Sequence, residues 1–425
     1  MRTAPIFLVT AVVATIVPGD SRGQSQRPVP VRDLGPIVAT TKEPIRFFFG
    51  VFQYADGRVL INDAGGRKIA LFDSTLTTST IVADSMSGSR IVYGRAPAPF
   101  IAFVGDSVLF PDTPSSSMLL LGPNGGVGRV LAPPKAGDMA RINQSAVSTD
   151  SRGRIVYRSQ LPPRLAEPGT GPTFADSAPL VRADFETRTT DTVAWLKAAT
   201  SKPTTTIAGP DGLLSVVLTI VPFSIIDEWA VLSDGSVAIL RGADYHIDWI
   251  APDGSKSSTA KLPFDWRRLT DDDKKRIADS TLARYADMPQ VNRALTLGEA
   301  QGMAMQNLRL PLERFARTKS VDSSQGIPIV YRVVPPEEIP DYIPAIRQGA
   351  MKADRDGNLW ILPTTSAQSR KGGLVYDIVN RRGELTERVE LPVGRSLAGF
   401  GPGGNVYLMS GDRRAGYTIE RARFK

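Results

Sequence analysis

A glycine turn followed at once by alternating apolar residues returns six times along the chain: Asp56-Gly57 before RVLIN, Gly105-Asp106 before SVLF, Arg152-Gly153 before RIVY, Asp234-Gly235 before SVAIL, Asp356-Gly357 before NLWIL and Gly403-Gly404 before NVYLM. Measured at Gly57, Gly105, Gly153, Gly235, Gly357 and Gly403, the spacings are 48, 48, 82, 122 and 46 residues. Three of the five agree to within two residues. That period is the length of a four-stranded propeller blade with ordinary loops.

The order inside a copy is also constant, as in residues 48–54, turn, 58–62, loop, 68–72, turn, 79–83. Short alternating segments of this kind are antiparallel strands. A second turn in phase with the first joins the third and fourth strands at Pro123-Asn124-Gly125, Pro252-Asp253-Gly254 and Arg382-Gly383, and tight glycine turns suit the right-handed twist of hairpins. The expected fold is therefore an all-β, six-bladed β-propeller of four-stranded antiparallel blades.

The two long spacings call for insertions. A Pro/Gly-rich loop at 161–177 and a polar link at 198–209 account for the first. In the second, residues 264–318 change period: Thr270 stands in N-cap position with Asp273 three residues on, and Ile277, Leu282 and Tyr285 fall at helical spacing. A helical insertion on the β frame is expected there, with a second helical piece at 298–308 and a Pro-rich return through Pro335, Pro336, Pro340 and Pro344.

The last copy supplies only three strands, at 397–401, 405–409 and 417–424. Residues 36–41 (PIVATT) have strand composition and precede the first complete blade, so the N-terminal strand is expected to close the last blade and cover both free edges. A seventh blade built on 213–223 (LLSVVLTIVPF) is the competing arrangement.

The N-terminus has the pattern of a secretory signal peptide: Arg2, an apolar run at 6–17, then Pro18, Gly19 and polar residues. The expected division is a signal peptide at 1–23 and a propeller at 24–425 that contains the 264–318 insertion, in a periplasmic or extracellular protein. The run is too short for a membrane helix, and no second apolar run of about 20 residues follows. The chain has no Cys, which removes thiol catalysis, thiolate metal sites and disulfide staples together. Stability must come from the core, and 42% hydrophobic with only 7% aromatic residues fits an aliphatic β interior. The net charge of +8 carries no long Lys/Arg block, so it points to anionic ligands, glycans or envelope partners and away from nucleic acid.

Asp354-Arg355-Asp356-Gly357-Asn358-Leu359-Trp360-Ile361 resembles the D-x-x-G-N-L-W blade signature of bacterial secreted six-bladed propellers of the NHL, regucalcin/gluconolactonase and streptogramin-lyase type. As architecture the resemblance covers nearly the whole mature chain, and this one copy carries the full motif. Its glycine serves the turn and its Trp the core, so the implication is a fold rather than an activity. A gluconolactonase activity would need a central divalent metal on inward Glu, Asn and Asp, which cannot be matched residue by residue. A lyase of the streptogramin kind would need further His beside His246, which stands alone in this sequence.

His246, in Asp244-Tyr245-His246-Ile247-Asp248-Trp249, lies on the strand face opposite Tyr245, Ile247 and Trp249. No Gly-x-Ser-x-Gly elbow accompanies it, and a strand-surface histidine is the reading preferred over a general base. Asp354, Asp356 and Asn358 have the spacing that opens a calcium loop, but Thr365 occupies the twelfth position where a Glu is required. A plain hairpin is preferred there and no cofactor is expected, calcium being the weak alternative. Arg46, Arg95, Arg141, Arg347 and Arg395 lie 11, 10, 12, 10 and 8 residues ahead of their turn glycines, so they share one end of the channel, where loop residues such as Arg241 join them. Arginine offers permanent charge and a bidentate fork for carboxylate, sulfate or phosphate. The expectation is an exported binding or interaction module recognising an anionic ligand or envelope partner at this mouth. The alternative is a metal-dependent lactonase or other hydrolase on axial carboxylates.

Overall fold

The turn glycines hold the backbone conformation that a side chain disfavours. Gly57, Gly153, Gly235 and Gly357 have φ of 89°, 77°, 89° and 88°, in the left-handed region open to glycine at no steric cost. Their amides close tight turns, as in Gly57 N to Tyr54 O at 3.0 Å and Gly235 N to Leu232 O at 2.9 Å. Each turn joins the first two strands of a blade.

The computed structural model describes residues 29–424 except 86–90, 95–97, 145–146, 160, 162–174, 200–201, 208–213, 287–328 and 366–370. Six blades form the ring. Blade 1 runs Phe48–Gln53, Val59–Asp63, Lys68–Phe72, Ser79–Asp84, and blade 2 Ile101–Phe103, Ser107–Asp112, Ser117–Leu121, Val127–Leu131. Blade 3 runs Ser148–Thr149, Ile155–Arg158, Ser177–Ala183, Thr190–Lys197, and blade 4 Glu228–Val231, Val237–Arg241, His246–Ile250, Lys256–Ser258. Blade 5 runs Met351–Ala353, Leu359–Ile361, Val375–Val379, Leu385–Glu390, and blade 6 Ser396–Gly401, Asn405–Asp412, Gly416–Arg423 with Ile37–Thr40.

The core is divided between the blades rather than gathered in one place. One buried cluster joins blades 1 and 2 through Phe52, Leu60, Val108 and Phe110, and the next joins blades 2 and 3 through Leu109, Met118, Ile155 and Tyr157. Further clusters link blades 3 to 4, 4 to 5, 5 to 6 and 6 to 1, the last through Val59, Ile61, Tyr407 and Ile419. Every blade thus buries both faces, which is why the alternating strands of the repeat carry apolar residues on both sides.

Closure follows the expected route. Ile37–Thr40 pairs antiparallel with Gly416–Arg423, and Thr41 exchanges two bonds with Ile419, amide to carbonyl at 2.9 Å and Ile419 N to Thr41 Oγ1 at 3.1 Å. A second N-terminal strand, Val31–Asp33, adds to the outside of blade 5 in parallel register with Leu385–Glu390. The sequence held no sign of it, because three residues cannot declare a period.

The two insertions meet. Lys202–Ile207 and Leu214–Ile220, ahead of blade 4, form a sheet with Ile329–Val333, ahead of blade 5, the last pair being parallel. The 214–220 strand therefore belongs to this accessory sheet and not to a seventh blade. Helix Asp271–Ala286 begins as expected, with Asp273 N donating to Thr270 Oγ1 at 3.1 Å and Thr270 N to Asp273 Oδ2 at 3.0 Å. Ile277 and Ala278 pack on Leu269, Val334 and Ile339. Lys274, in the charged DDDKK start, is covered and not merely solvated, because it pairs with Asp341 at 2.6 Å. The 298–308 segment lies outside the described residues. No described helix is long and apolar enough to cross a membrane.

Candidate functional site

The rim arginines divide by partner. Arg395 donates from Nε and Nη2 to both oxygens of Glu420, each at 3.1 Å. Arg241 reaches Asp227 and Asp248, both at 2.7 Å, and the Trp195 carbonyl at 2.9 Å. Burial works against the Arg241 charge, and the two carboxylates outweigh it. These two guanidinium groups hold strand ends together. Arg347 and Arg46 are exposed, and Arg347 lies over the Phe223 ring at 5.7 Å. Arg141 is half-buried in the short helix Met139–Gln144. Arg95 lies outside the described residues.

A second set of cations lies deeper. The first strands of successive blades touch around the axis, Glu228–Val231 against Met351–Ala353 among them. Blade 5 carries two cations, Lys352 on its first strand and Arg355 in the turn that follows. The Arg355 guanidinium of blade 5 lies over the Phe52 ring of blade 1 at 5.2 Å. Blade 6 stands between those two in the ring, so this contact crosses the channel. Lys352, three residues earlier, is solvent-accessible as Arg355 is. Desolvation nevertheless pulls the Lys352 ammonium below the usual lysine range, with Glu228 only partly opposing it. It does the same to Arg355, against the weaker pull of Asp106. A side chain that touches water yet is closely enclosed by protein is what a narrow wet channel provides.

Glu228 begins the first strand of blade 4 and is 6% exposed. Its Oε2 accepts the Gly349 amide at 3.0 Å. Burial lifts its carboxyl to about 7, against that amide and the nearby charges of Arg158 and Lys352. A carboxyl raised and a lysine lowered in one enclosed space is the arrangement by which proteins prepare ligand and reaction sites.

A signal for the two cations was present in the sequence. Lys352 and Arg355 stand five and two residues before turn glycine Gly357; the same places before Gly57, Gly153, Gly235 and Gly403 hold Phe52 and Ala55, Ser148 and Ser151, Ala230 and Ser233, Ala398 and Gly401. Blade 5 alone among these five is charged there.

His246 does not assemble a triad. Its Nδ1 meets Asp244 at 2.6 Å and its Nε2 meets Asp248 at 3.2 Å, while Ser258 donates to Asp248 at 2.5 Å rather than to the imidazole. The Asp354 carboxylate is taken up by its own turn, accepting the Asp356 and Asn358 amides at 3.0 and 2.8 Å, Asn358 Nδ2 at 2.9 Å and Trp360 Nε1 at 3.1 Å. Among the described residues no three His, Asp or Glu side chains gather as a metal site requires.

No family model matches the sequence, and no curated protein matches it. Solved structures similar to the chain include a gluconolactonase from Xanthomonas campestris, 10% identical with a TM-score of 0.37, covering 92% of this chain and 99% of that one. A calcium-binding regucalcin from Agrobacterium tumefaciens is 10% identical with a TM-score of 0.39, covering 93% and 97%. A virginiamycin B lyase from Staphylococcus aureus is 10% identical with a TM-score of 0.33, covering 91% and 87%. The likeness is one of fold alone.

Proposed function

We propose that this chain is an exported binding propeller that holds an anionic ligand in its axial channel on Lys352 and Arg355, past the exposed rim residues Arg46 and Arg347. The observation that carries the reading is geometric: the accessible Arg355 guanidinium of blade 5 lies over the Phe52 ring of blade 1, with accessible Lys352 three residues earlier on the same blade. A cation drawn out of water without an ion-pair partner is costly, and an incoming carboxylate or phosphate offsets that cost with charge-assisted hydrogen bonds. A concave, low-dielectric mouth also concentrates the positive field. The apolar run at 6–17 supports the reading of an exported protein, periplasmic or extracellular.

A metal-dependent hydrolase would draw on several axial carboxylates, whereas Glu228 is surrounded by Arg158 and Lys352. The paired rim residues Arg241 and Arg395 are assigned to structure and the channel cations to ligand. Diffraction at the bromine edge from crystals grown in sodium bromide tests the reading. An anomalous peak beside Lys352 Nζ or the Arg355 guanidinium supports it, and peaks confined to the outer surface contradict it.

A further inference from the structure

Four aromatic rings form a row from the core between blades 4 and 5 to the surface of the insertion. Tyr245 is fully buried, and its ring meets Phe264 at 5.4 Å. Phe264 meets Trp266 edge-on at 4.9 Å, and Trp266 meets Tyr342 at 6.5 Å with the ring planes 88° apart. The last two rings are 39% and 45% exposed. Two backbone bonds fix their ribbon: Leu269 N donates to the Asp341 carbonyl at 2.8 Å, and Ile343 N to the Arg267 carbonyl at 3.0 Å. These bonds flank the antiparallel bridge between Arg268 and Tyr342. The two residues are therefore a non-hydrogen-bonded pair, whose side chains lie close together on one face.

Charge is sorted across this ribbon. Arg268 shares the face of Trp266 and Tyr342, is exposed, and its guanidinium has no hydrogen-bond or ion-pair partner among the described residues. Alternation along extended backbone turns Asp265, Arg267, Leu269 and Asp341 the other way. On that inner face Lys274 of the helix holds Asp341 at 2.6 Å, and Leu269 packs on Val334 and Ile339. The outward face thus joins two half-exposed rings to one unpaired cation, with the carboxylates of the ribbon behind it. A stable protein interface takes about 20 residues a side, whereas this face is three side chains wide. A sugar chain needs rings lying flat in one plane, and these two stand at right angles. An anionic lipid surface makes neither demand: Trp and Tyr settle at headgroup level with the apolar body inward and the N–H or O–H toward water, and an arginine beside them matches lipid phosphate. The net charge of +8 adds attraction to such a surface.

We infer that Trp266, Arg268 and Tyr342 form a membrane-surface contact, in which the two rings enter the headgroup layer of an anionic lipid leaflet and Arg268 binds phosphate. It involves none of the channel cations. Co-sedimentation of the whole mature protein with vesicles at low ionic strength tests it, using phosphatidylglycerol and phosphatidylcholine in equal parts, and phosphatidylcholine alone. Binding to the mixed vesicles is expected, and much less to phosphatidylcholine alone. Trp266→Ser/Tyr342→Ser should weaken binding about tenfold or more, and Arg268→Gln about fivefold. Arg268 is exposed and unpaired, so its variant keeps the fold. Arg129→Gln removes the same charge from an exposed position on the outer strand of blade 2, across the ring, and should bind as wild type does. Failure of the wild type to sediment with the mixed vesicles, or equal weakening by Arg268→Gln and Arg129→Gln, overturns the inference and leaves the face to a protein partner.

Discussion

The Tyr407 hydroxyl donates to Gln53 Oε1 at 2.8 Å, joining side chains 354 residues apart in the chain. Asn405 Nδ2 shares the same acceptor at 3.1 Å. Blade 6 thus meets blade 1 through a buried polar contact as well as through the Tyr407, Val59 and Ile61 cluster. The ring is closed by side chains at its core and by the N-terminal strands at its outer edge.

Removing Gln53 as acceptor while leaving its donors buried should cost about 1–3 kcal/mol. Deleting residues 24–42 should cost more, since it takes away both N-terminal strands and the buried Leu34; a buried Leu is worth about 2–5 kcal/mol on truncation to Ala. Urea unfolding of Gln53→Ala and of the truncated chain checks both. A truncated protein as stable as the mature chain would show that the edge strands do not hold the ring.

The rim arginines should separate sharply in stability. Arg241→Met leaves the 7%-exposed Asp227 side chain without its cation, and an uncompensated buried charge costs about 3–5 kcal/mol. Arg347→Ala removes an exposed guanidinium that rests on Phe223, worth about 0.5–1 kcal/mol. Equal losses in the two variants would mean that the division into structural and free arginines is wrong.

Glu228 should leave a pH signature. Its carboxyl titrates near 4.5 in the unfolded chain and at about 7 in the folded one, so the folded state binds the proton more tightly. The stability this supplies is complete below pH 4.5 and lost as pH rises through 7. At about 1.36 kcal/mol per unit, the loss is on the order of 3 kcal/mol. Glu228→Gln removes it, so the stability difference between wild type and variant should move by that amount between acid and mildly alkaline buffer. A difference that stays constant with pH excludes a buried, titrating Glu228.

The fold was legible in the sequence because a propeller repeats its turns. Gly57, Gly153, Gly235 and Gly357 need a backbone conformation that few other residues tolerate, and their spacing exposed the blades despite two long insertions. The capping pair Thr270 and Asp273 likewise announced its helix through local chemistry. Pairing between distant segments left no such mark: the parallel register of Leu214–Ile220 with Ile329–Val333 joins two apolar runs that look alike in isolation. The site was legible only in part. Spacing placed arginines at strand starts, but whether each faces a carboxylate, as Arg395 faces Glu420, depends on the neighbouring strand and not on its own sequence. Lys352 and Arg355 carried a local signal, visible once the blades are compared position by position at the turn.

Calorimetric titration with citrate at low ionic strength, on the mature protein and on Lys352→Met/Arg355→Met, tests the axial anion site most directly. The double variant should keep the fold, because both side chains are solvent-accessible. Wild type should bind saturably, with affinity falling as salt rises to about 0.15 M and the charges are screened over about 8 Å, and the variant should show no binding. Citrate binding of equal strength in both proteins, or no binding heat in wild type, would contradict the channel as the site of anion recognition.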